Sequence, residues 1–135
     1  MMRRFAEVEE GDELPTRELF LAKDQVRAYA RVANQWSPRF TDDEGARREG
    51  LPGMITPGNM SMGLLTGLIE GWGGVGVLRR LGTTFRGLVL PGRTIRLCGN
   101  VTQKDERART VELDVWLESD EGERLVIGTA TVALD

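Results

Sequence analysis

Side chains and turns that could do chemistry are concentrated in residues 33–59, ANQWSPRFTDDEGARREGLPGMITPGN. The groups there that could orient a polar substrate or a water molecule are Gln35, Ser37, Asp42, Asp43 and Thr56. The chain contains no histidine, which excludes Ser-His-Asp and Cys-His catalysis within it. Because Cys98 is the single cysteine, the sequence also predicts no metal site and no cofactor.

Length and composition predict one soluble domain covering residues 1–135. The formal net charge is -3, so no basic field indicates a nucleic acid or a membrane partner. Residues 1–9 lack the apolar segment of a signal peptide, and glycines and Glu70 interrupt the longest weakly polar run, residues 54–77. We therefore expect a cytoplasmic protein in which Cys98 is a buried, unreactive thiol.

Two helices are predicted to carry the polar stretch. Apolar residues recur at helical spacing after Asp24, which predicts a helix that ends at Ser37-Pro38. The segment TDDEGARREG predicts a second, short helix that begins near Asp42 and ends at Gly50. A strand over residues 16–22 is expected to precede them.

A third helix is predicted to follow, with Thr56 as its cap, Pro57 at its first position and an end near Trp72. Three glycines recur every four residues along it and form one stripe: Gly63, Gly67 and Gly71. Each glycine costs a helix about 1 kcal/mol relative to alanine. We therefore expect this buried helix to approach a sheet or a ligand closely along the stripe.

The remainder of the sequence predicts strands. Residues 75–90 are long enough for one bent strand or two, and residues 94–103, 110–119 and 124–134 follow with turns between them. These lengths favour an antiparallel meander. The expected fold class is α+β, with a curved antiparallel sheet wrapped around a central buried helix, and dimerisation would cover the sheet edges.

The order of elements, with the segments SPRFTDDEGARREGLPGMITPGNM and FRGLVLPGRT, resembles the MaoC-like hydratase/dehydratase group of the hotdog fold. The resemblance implies a homodimer or a heterodimer with another hotdog subunit. It implies as substrate an acyl thioester of coenzyme A or acyl carrier protein. The reaction of the family is reversible addition of water across an α,β double bond.

The catalytic motif of that family has an Asp, two residues later an Asn, then Pro, a spacer, His, a spacer and Asp. The equivalent positions here are Gln35, Ser37, Pro38, Phe40 and Asp42, so the catalytic Asp and His positions hold Gln35 and Phe40. A glutamine side chain does not titrate and a phenylalanine carries no proton. The resemblance therefore locates the catalytic positions of the family in this sequence. At these positions, the two proton-handling residues are replaced.

The resemblance also implies a substrate-binding segment around Gly58, whose backbone N–H would polarise the thioester carbonyl. A helix N-terminus presents free N–H groups and the positive end of a dipole, which suits that role. Thr56, Asn59 and Met60 are the neighbouring candidates for contact with substrate. The chain is also similar in length to the small MaoC-like subunits of actinobacterial heteromeric hydratases acting on steroid side-chain thioesters, which share its Gly71-Trp72-Gly73 helix exit.

Three functions remain open from the sequence. The first is a thioester-binding, non-hydratase subunit that completes a heterodimer with a partner carrying Asp and His. The second is a rewired enzyme, such as an altered dehydratase, cyclase or thioesterase, working through Gln35, Ser37, Asp42 or Glu70. The third is a structural or ligand-sensing homodimer.

Simpler roles compete with the functional ones at most of these positions. Gln35 and Ser37 could form a helix end, Phe40 could pack, and Asp42 and Asp43 could cap the short helix. Methionines 54, 60 and 62 could line an acyl tunnel or fill the core. Arg79, Arg80 and Arg86 could hold a coenzyme A phosphate or form a solvated strand face.

Overall fold

A computed structural model describes residues 2–135. Its helices are α1 (Lys23–Val32), α2 (Asp43–Arg48) and α3 (Gly58–Gly73), and 3-10 turns occupy Phe5–Glu7 and Pro38–Phe40. The strands are β1 (Glu13–Leu21), β2 (Leu78–Phe85), β3 (Arg93–Asp105), β4 (Thr110–Ser119) and β5 (Arg124–Ala133).

The five strands form one antiparallel sheet in the order β1-β3-β4-β5-β2. The predicted meander is confirmed for β3, β4 and β5, which pair in sequence order, with Leu113 opposite both Val101 and Ala130. The strands before and after α3 pair with the two outer members of the meander. β1 and β2 therefore form the two edges of the sheet.

The core lies between one face of the sheet and α3. β4 alternates as the sequence predicts: Val111, Leu113, Val115 and Leu117 are buried, whereas Asp114 on the opposite face is exposed. α3 contributes Leu65, Leu68 and Ile69, each no more than 2% exposed. Burying such a side chain stabilises the fold by roughly 2 kcal/mol. The expected α+β architecture, a sheet around a central helix, is confirmed.

The predicted end of α1 at Ser37-Pro38 is wrong, because the helix ends at Val32. Asn34 adopts a left-handed conformation with φ of 57°. The Gln35 N–H then donates to the carbonyl oxygen of Ala30 at 2.7 Å, and the Asn34 N–H donates to that of Arg31 at 3.3 Å. This is a Schellman ending, in which a left-handed residue satisfies the last free carbonyls of a helix.

The start of α3 and the strand that follows it also differ from the prediction. Thr56 does not cap α3: Pro57 holds the cap position and no side chain caps it. Residues 75–90 form one strand, which was one of the two predicted alternatives, but it covers only Leu78–Phe85. The chain turns before it at Gly74 and Gly76, whose φ angles of 115° and 87° favour glycine.

The close approach predicted along the glycine stripe of α3 is absent from residues 2–135. A Cβ atom placed on Gly63 or Gly71 would meet no neighbouring atom within 4 Å, and one on Gly67 would meet only the Arg17 Nη1 atom at 3.8 Å. The stripe lies on the open side of α3, opposite the side that packs on the sheet. Its glycines are thus not required by packing within this chain.

Across residues 2–135, no helix combines the length and the apolar character needed to cross a membrane.

Candidate functional site

Residues 35–42, here called the motif segment, are held against the loop that leads into α3. The Ile55 N–H donates to the carbonyl oxygen of Arg39 at 2.7 Å. The Met54 N–H donates to the Asp43 Oδ1 atom at 3.0 Å. These two hydrogen bonds bring the motif positions, which lie before α2, to the start of α3.

The start of α3 presents two backbone donors. The carbonyl oxygen of Pro57 accepts from the N–H groups of Met60 and Ser61, at 3.1 and 3.3 Å. The N–H groups of Gly58 and Asn59 donate to no acceptor within the described part of the chain. They lie at the positive end of the helix dipole, where a carbonyl or carboxylate oxygen would be stabilised.

Phe85 limits the space beside Gly58. A Cβ atom at Gly58 would lie 2.8 Å from the Cζ atom of Phe85, closer than real Cβ contacts come. Phe85 is the last residue of β2 and its side chain is 51% exposed, so the ring forms a side wall that is open to solvent. The sequence shows no local signal for this contact because β2 and the start of α3 are brought together by the fold.

Three buried oxygen atoms around the motif and the start of α3 have no hydrogen-bond partner among residues 2–135: Gln35 Oε1, Thr56 Oγ1 and Ser61 Oγ. Most buried polar atoms in proteins are paired, so these three oxygens are exceptions that lie near the candidate site. Ser61 is fully buried in the first turn of α3 and was not predicted from the sequence. The sequence signal that could have identified Ser61 is a hydroxyl residue one turn after the cap position of α3.

Phe40 and Ser37 belong to the 3-10 turn that follows α1. The carbonyl oxygen of Ser37 accepts from the Phe40 N–H at 3.0 Å and from the Thr41 hydroxyl at 3.3 Å. The Ser37 side chain makes no capping hydrogen bond, and the Phe40 side chain is half-buried. Both residues therefore shape the turn, and neither side chain ionises near neutral pH.

The two adjacent aspartates are engaged in holding α2. Asp42 caps the helix, with its Oδ2 atom accepting from the Gly45 N–H at 2.8 Å. Asp43 Oδ2 lies 2.9 Å from Lys23 Nζ. The hydrogen bond from Lys23 lowers the pKa of the Asp43 carboxyl, and that from the Met54 N–H lowers it further. Asp43 is therefore ionised at neutral pH and suits binding better than proton donation.

Other sequence candidates lie away from this site or in the core. Glu70 is near the far end of α3, about 18 Å along the helix from Gly58, and accepts from the Gly76 N–H at 3.3 Å. Met54 is 1% exposed and is part of the core, whereas Met60 packs at its edge. Cys98 is buried in β3, and burial raises the pKa of its thiol.

Comparison with known proteins gives one family and one fold. The family model described as MaoC like domain matches residues 5–122. A search of curated proteins finds no significant match.

Three solved structures illustrate the likeness. A MaoC-like dehydratase superposes with a TM-score of 0.93 at 28% identity, covering 99% of this chain and 43% of that protein's chain. The (R)-hydratase from A. caviae involved in PHA biosynthesis gives 0.88 at 21%, covering 95% and 98%. A chain of the ChsH1-ChsH2 complex from Mycobacterium tuberculosis gives 0.86 at 16%, covering 94% and 98%. This chain thus spans less than half of the first protein.

Proposed function

Because the chain belongs to the MaoC-like domain family, we propose that it binds an acyl thioester without performing the standard hydratase reaction by itself. The thioester is one of coenzyme A or of acyl carrier protein. The chain acts either as a non-catalytic subunit or as the half of a dimer that a catalytic partner completes.

One feature of the sequence carries this proposal: the resemblance aligns Gln35 and Phe40 with the two proton-handling positions of the family motif, in a chain that keeps the family's fold. A hydratase needs a base to activate water and an acid to deliver a proton, and neither side chain titrates. The hydrogen bonds of Ile55 to Arg39 and of Met54 to Asp43 still hold the motif segment against α3. Proton transfer is thus missing while the frame for binding is present.

The free donors at the start of α3 support thioester binding. The N–H groups of Gly58 and Asn59 could donate to the thioester carbonyl oxygen, and the helix dipole would add to that attraction. The unpaired hydroxyls of Thr56 and Ser61 lie nearby but are enclosed by the chain itself. Met60, at the edge of the core, is suited to contact a flexible acyl chain.

A heteromeric assembly would supply the missing acid and base. One of the structural relatives is a chain of the ChsH1-ChsH2 complex, so the same fold assembles with a different subunit in that case. A partner that carries Asp and His could receive the bound thioester from this chain or act beside it. A homodimer would instead hold two binding sites without proton transfer.

An altered dehydratase, cyclase or thioesterase is the second candidate, and the three unpaired buried oxygens beside the motif favour it. Such an enzyme would need a carboxylate free to exchange protons. Asp42 caps α2, Asp43 is paired with Lys23, and Glu70 binds the Gly76 N–H at the far end of α3. Because all three carboxylates are occupied in this way, the binding subunit is favoured over the altered enzyme.

The test is a hydration assay with crotonyl-CoA and a longer enoyl-CoA, following loss of enoyl absorbance. The native chain is compared with the double variant Gln35→Asp, Phe40→His and with each single variant as a control. We expect no turnover by the native chain or the single variants and measurable turnover by the double variant. Release of free thiol is recorded in parallel to detect a thioesterase.

The outcomes separate the candidates. Turnover or thiol release by the native chain would contradict the binding-subunit proposal and favour the rewired enzyme. No turnover by any variant, together with no binding of either thioester by calorimetry, would contradict the thioester assignment itself. Because the native chain has no histidine, the imidazole introduced at position 40 can be followed alone by NMR, which verifies that the double variant is folded.

A further inference from the structure

A polar cleft of about 250 Å³ opens beside the candidate site. Its walls come from the start of α1, from α2, from the loop before α3 and from the start of β3. The lining residues are Lys23, Asp43, Arg47, Pro52, Gly53, Met54, Leu90, Pro91, Gly92 and Arg93. It therefore holds three cations and one carboxylate, although the whole chain has a net charge of -3.

The cations of the cleft are only partly neutralised. Lys23 is paired with Asp43 at 2.9 Å, and Arg47 lies near the same carboxylate, whose pKa it helps to lower. Arg47 also reaches Glu44 Oε1, but only at 3.7 Å. Arg93 forms no ion pair with any residue from 2 to 135. Two guanidinium groups are thus available to an anionic ligand.

The position of the cleft relates it to the start of α3. One wall is the segment Pro52-Gly53-Met54, and Gly58 follows Met54 by four residues, a span of at most about 14 Å. A ligand that contacts the Gly58 N–H and the cleft at the same time must span this distance and be negatively charged at the cleft end. The polar lining of the cleft makes it unsuited to an acyl chain.

We propose that this cleft binds the phosphate of the phosphopantetheine arm that carries the acyl group, an inference that rests on the proposed thioester function. A guanidinium group presents paired N–H donors that match phosphate oxygens, so Arg47 and Arg93 are the principal contacts. Coenzyme A and acyl carrier protein both carry this arm. The cleft therefore recognises their shared phosphate, and the thioester end lies at Gly58.

The test compares ligands with and without the phosphate. Affinities of the full chain are measured by calorimetry for an acyl-CoA and for the acyl-pantetheine with the same acyl group. The variants are Arg47→Gln, Arg93→Gln and their combination, with Arg48→Gln as the control. Arg48 is the next residue on α2, is exposed and does not line the cleft.

We expect the double variant to bind acyl-CoA about tenfold more weakly, because each exposed ion pair contributes a few-fold in affinity. Binding of acyl-pantetheine should not change in any variant, and Arg48→Gln should match the native chain with both ligands. The loss with acyl-CoA should shrink at high salt, as the native chain then loses the same attraction. Equal affinities of the double variant and the native chain for acyl-CoA would overturn the inference.

Two further comparisons distinguish the carriers and separate this inference from the proposed function. Repeating the measurement with an acylated carrier protein distinguishes the phosphates: a loss with both carriers supports the shared phosphate, whereas a loss with acyl-CoA alone would assign the cleft to the nucleotide phosphates of coenzyme A and overturn this inference. Binding of acyl-pantetheine by the native chain, with no effect of the arginine variants on either carrier, would overturn this inference and leave the proposed function intact. Failure of every thioester to bind would overturn both.

Discussion

Asp43 shows how a single carboxylate can hold the site together. Its two oxygen atoms connect Lys23 of α1 to the Met54 N–H in the loop before α3. The residue therefore links the three segments that surround the cleft and the motif. Its role is structural, in contrast to the acid–base role considered for the aspartate pair from the sequence.

We predict that Asp43→Asn destabilises the protein by about 1–2 kcal/mol at neutral pH, because a charged hydrogen-bond acceptor is lost. The pKa of Asp43 is lowered from an ordinary value of 3.8, so its stabilising effect is present above about pH 4. That effect is lost as the pH falls through the lowered pKa. Urea unfolding of both proteins at pH 7 and at a pH below 3 measures the difference.

The difference between the two proteins should be largest at pH 7 and should shrink in acid. Asp24→Asn is a suitable control, because the Asp24 side chain is 93% exposed in its pair with Arg27. It should change the free energy of unfolding little at either pH. An Asp43→Asn difference that is the same at both pH values would contradict the electrostatic role.

At the scale of elements, the glycines divide into those that the fold requires and those that it does not. A Cβ atom on Gly128 in β5 would lie 2.7 Å from the backbone oxygen of Gly82 in β2. Backbone cannot move aside cheaply, so this glycine is fixed by strand packing. Gly63 in α3 has no neighbour within 4 Å, so only helix propensity acts on it.

We therefore predict opposite effects of two alanine substitutions. Gly63→Ala should stabilise the monomeric chain by up to about 1 kcal/mol, since alanine favours a helix. Gly128→Ala should destabilise it by about 1–3 kcal/mol through overpacking. Chemical denaturation at low protein concentration provides the measurement. A loss of stability in Gly63→Ala that grows with protein concentration would instead show that another subunit packs on this side of α3.

The elements also differ in how far their sequence predicts their structure, for physical reasons. The regular alternation of β4 depends on each residue facing the core or solvent, so its bounds were predicted correctly. The end of α1 depends on the left-handed backbone conformation of Asn34. The nearby Pro38 predicted a later helix end instead. Contacts between distant segments gave no sequence signal. The Phe85 ring beside Gly58 and the cleft formed by Lys23, Arg47 and Arg93 are of this kind.

At the scale of the whole molecule, the two edges of the sheet are the main unsatisfied feature. β1 and β2 each pair on one side only, which leaves backbone donors and acceptors free. Several large apolar side chains are exposed, among them Phe20 on β1 at 58% and Phe85 on β2 at 51%. A second hotdog subunit paired along one edge would cover such groups.

We accordingly expect the purified chain to form a dimer, alone or with a partner hotdog subunit. Sedimentation velocity should give the mass of two chains, and the apparent Tm should rise with protein concentration, because association stabilises the folded state by mass action. A monomer whose Tm is independent of concentration would contradict homodimerisation. Coexpression with a candidate hotdog subunit carrying Asp and His would then test the heterodimer.

The N-terminal and C-terminal segments lie side by side. The Phe5 N–H donates to the carbonyl oxygen of Asp135 at 2.9 Å, and the Arg3 N–H donates to that of Gly73 at 3.0 Å. The tight turn between β4 and β5, around Gly122, is exposed. A circular permutant that joins residue 135 to residue 3 through a short linker, and opens at Gly122, should therefore keep every strand pairing. The chain order could thus be changed while the start of α3 stays in place.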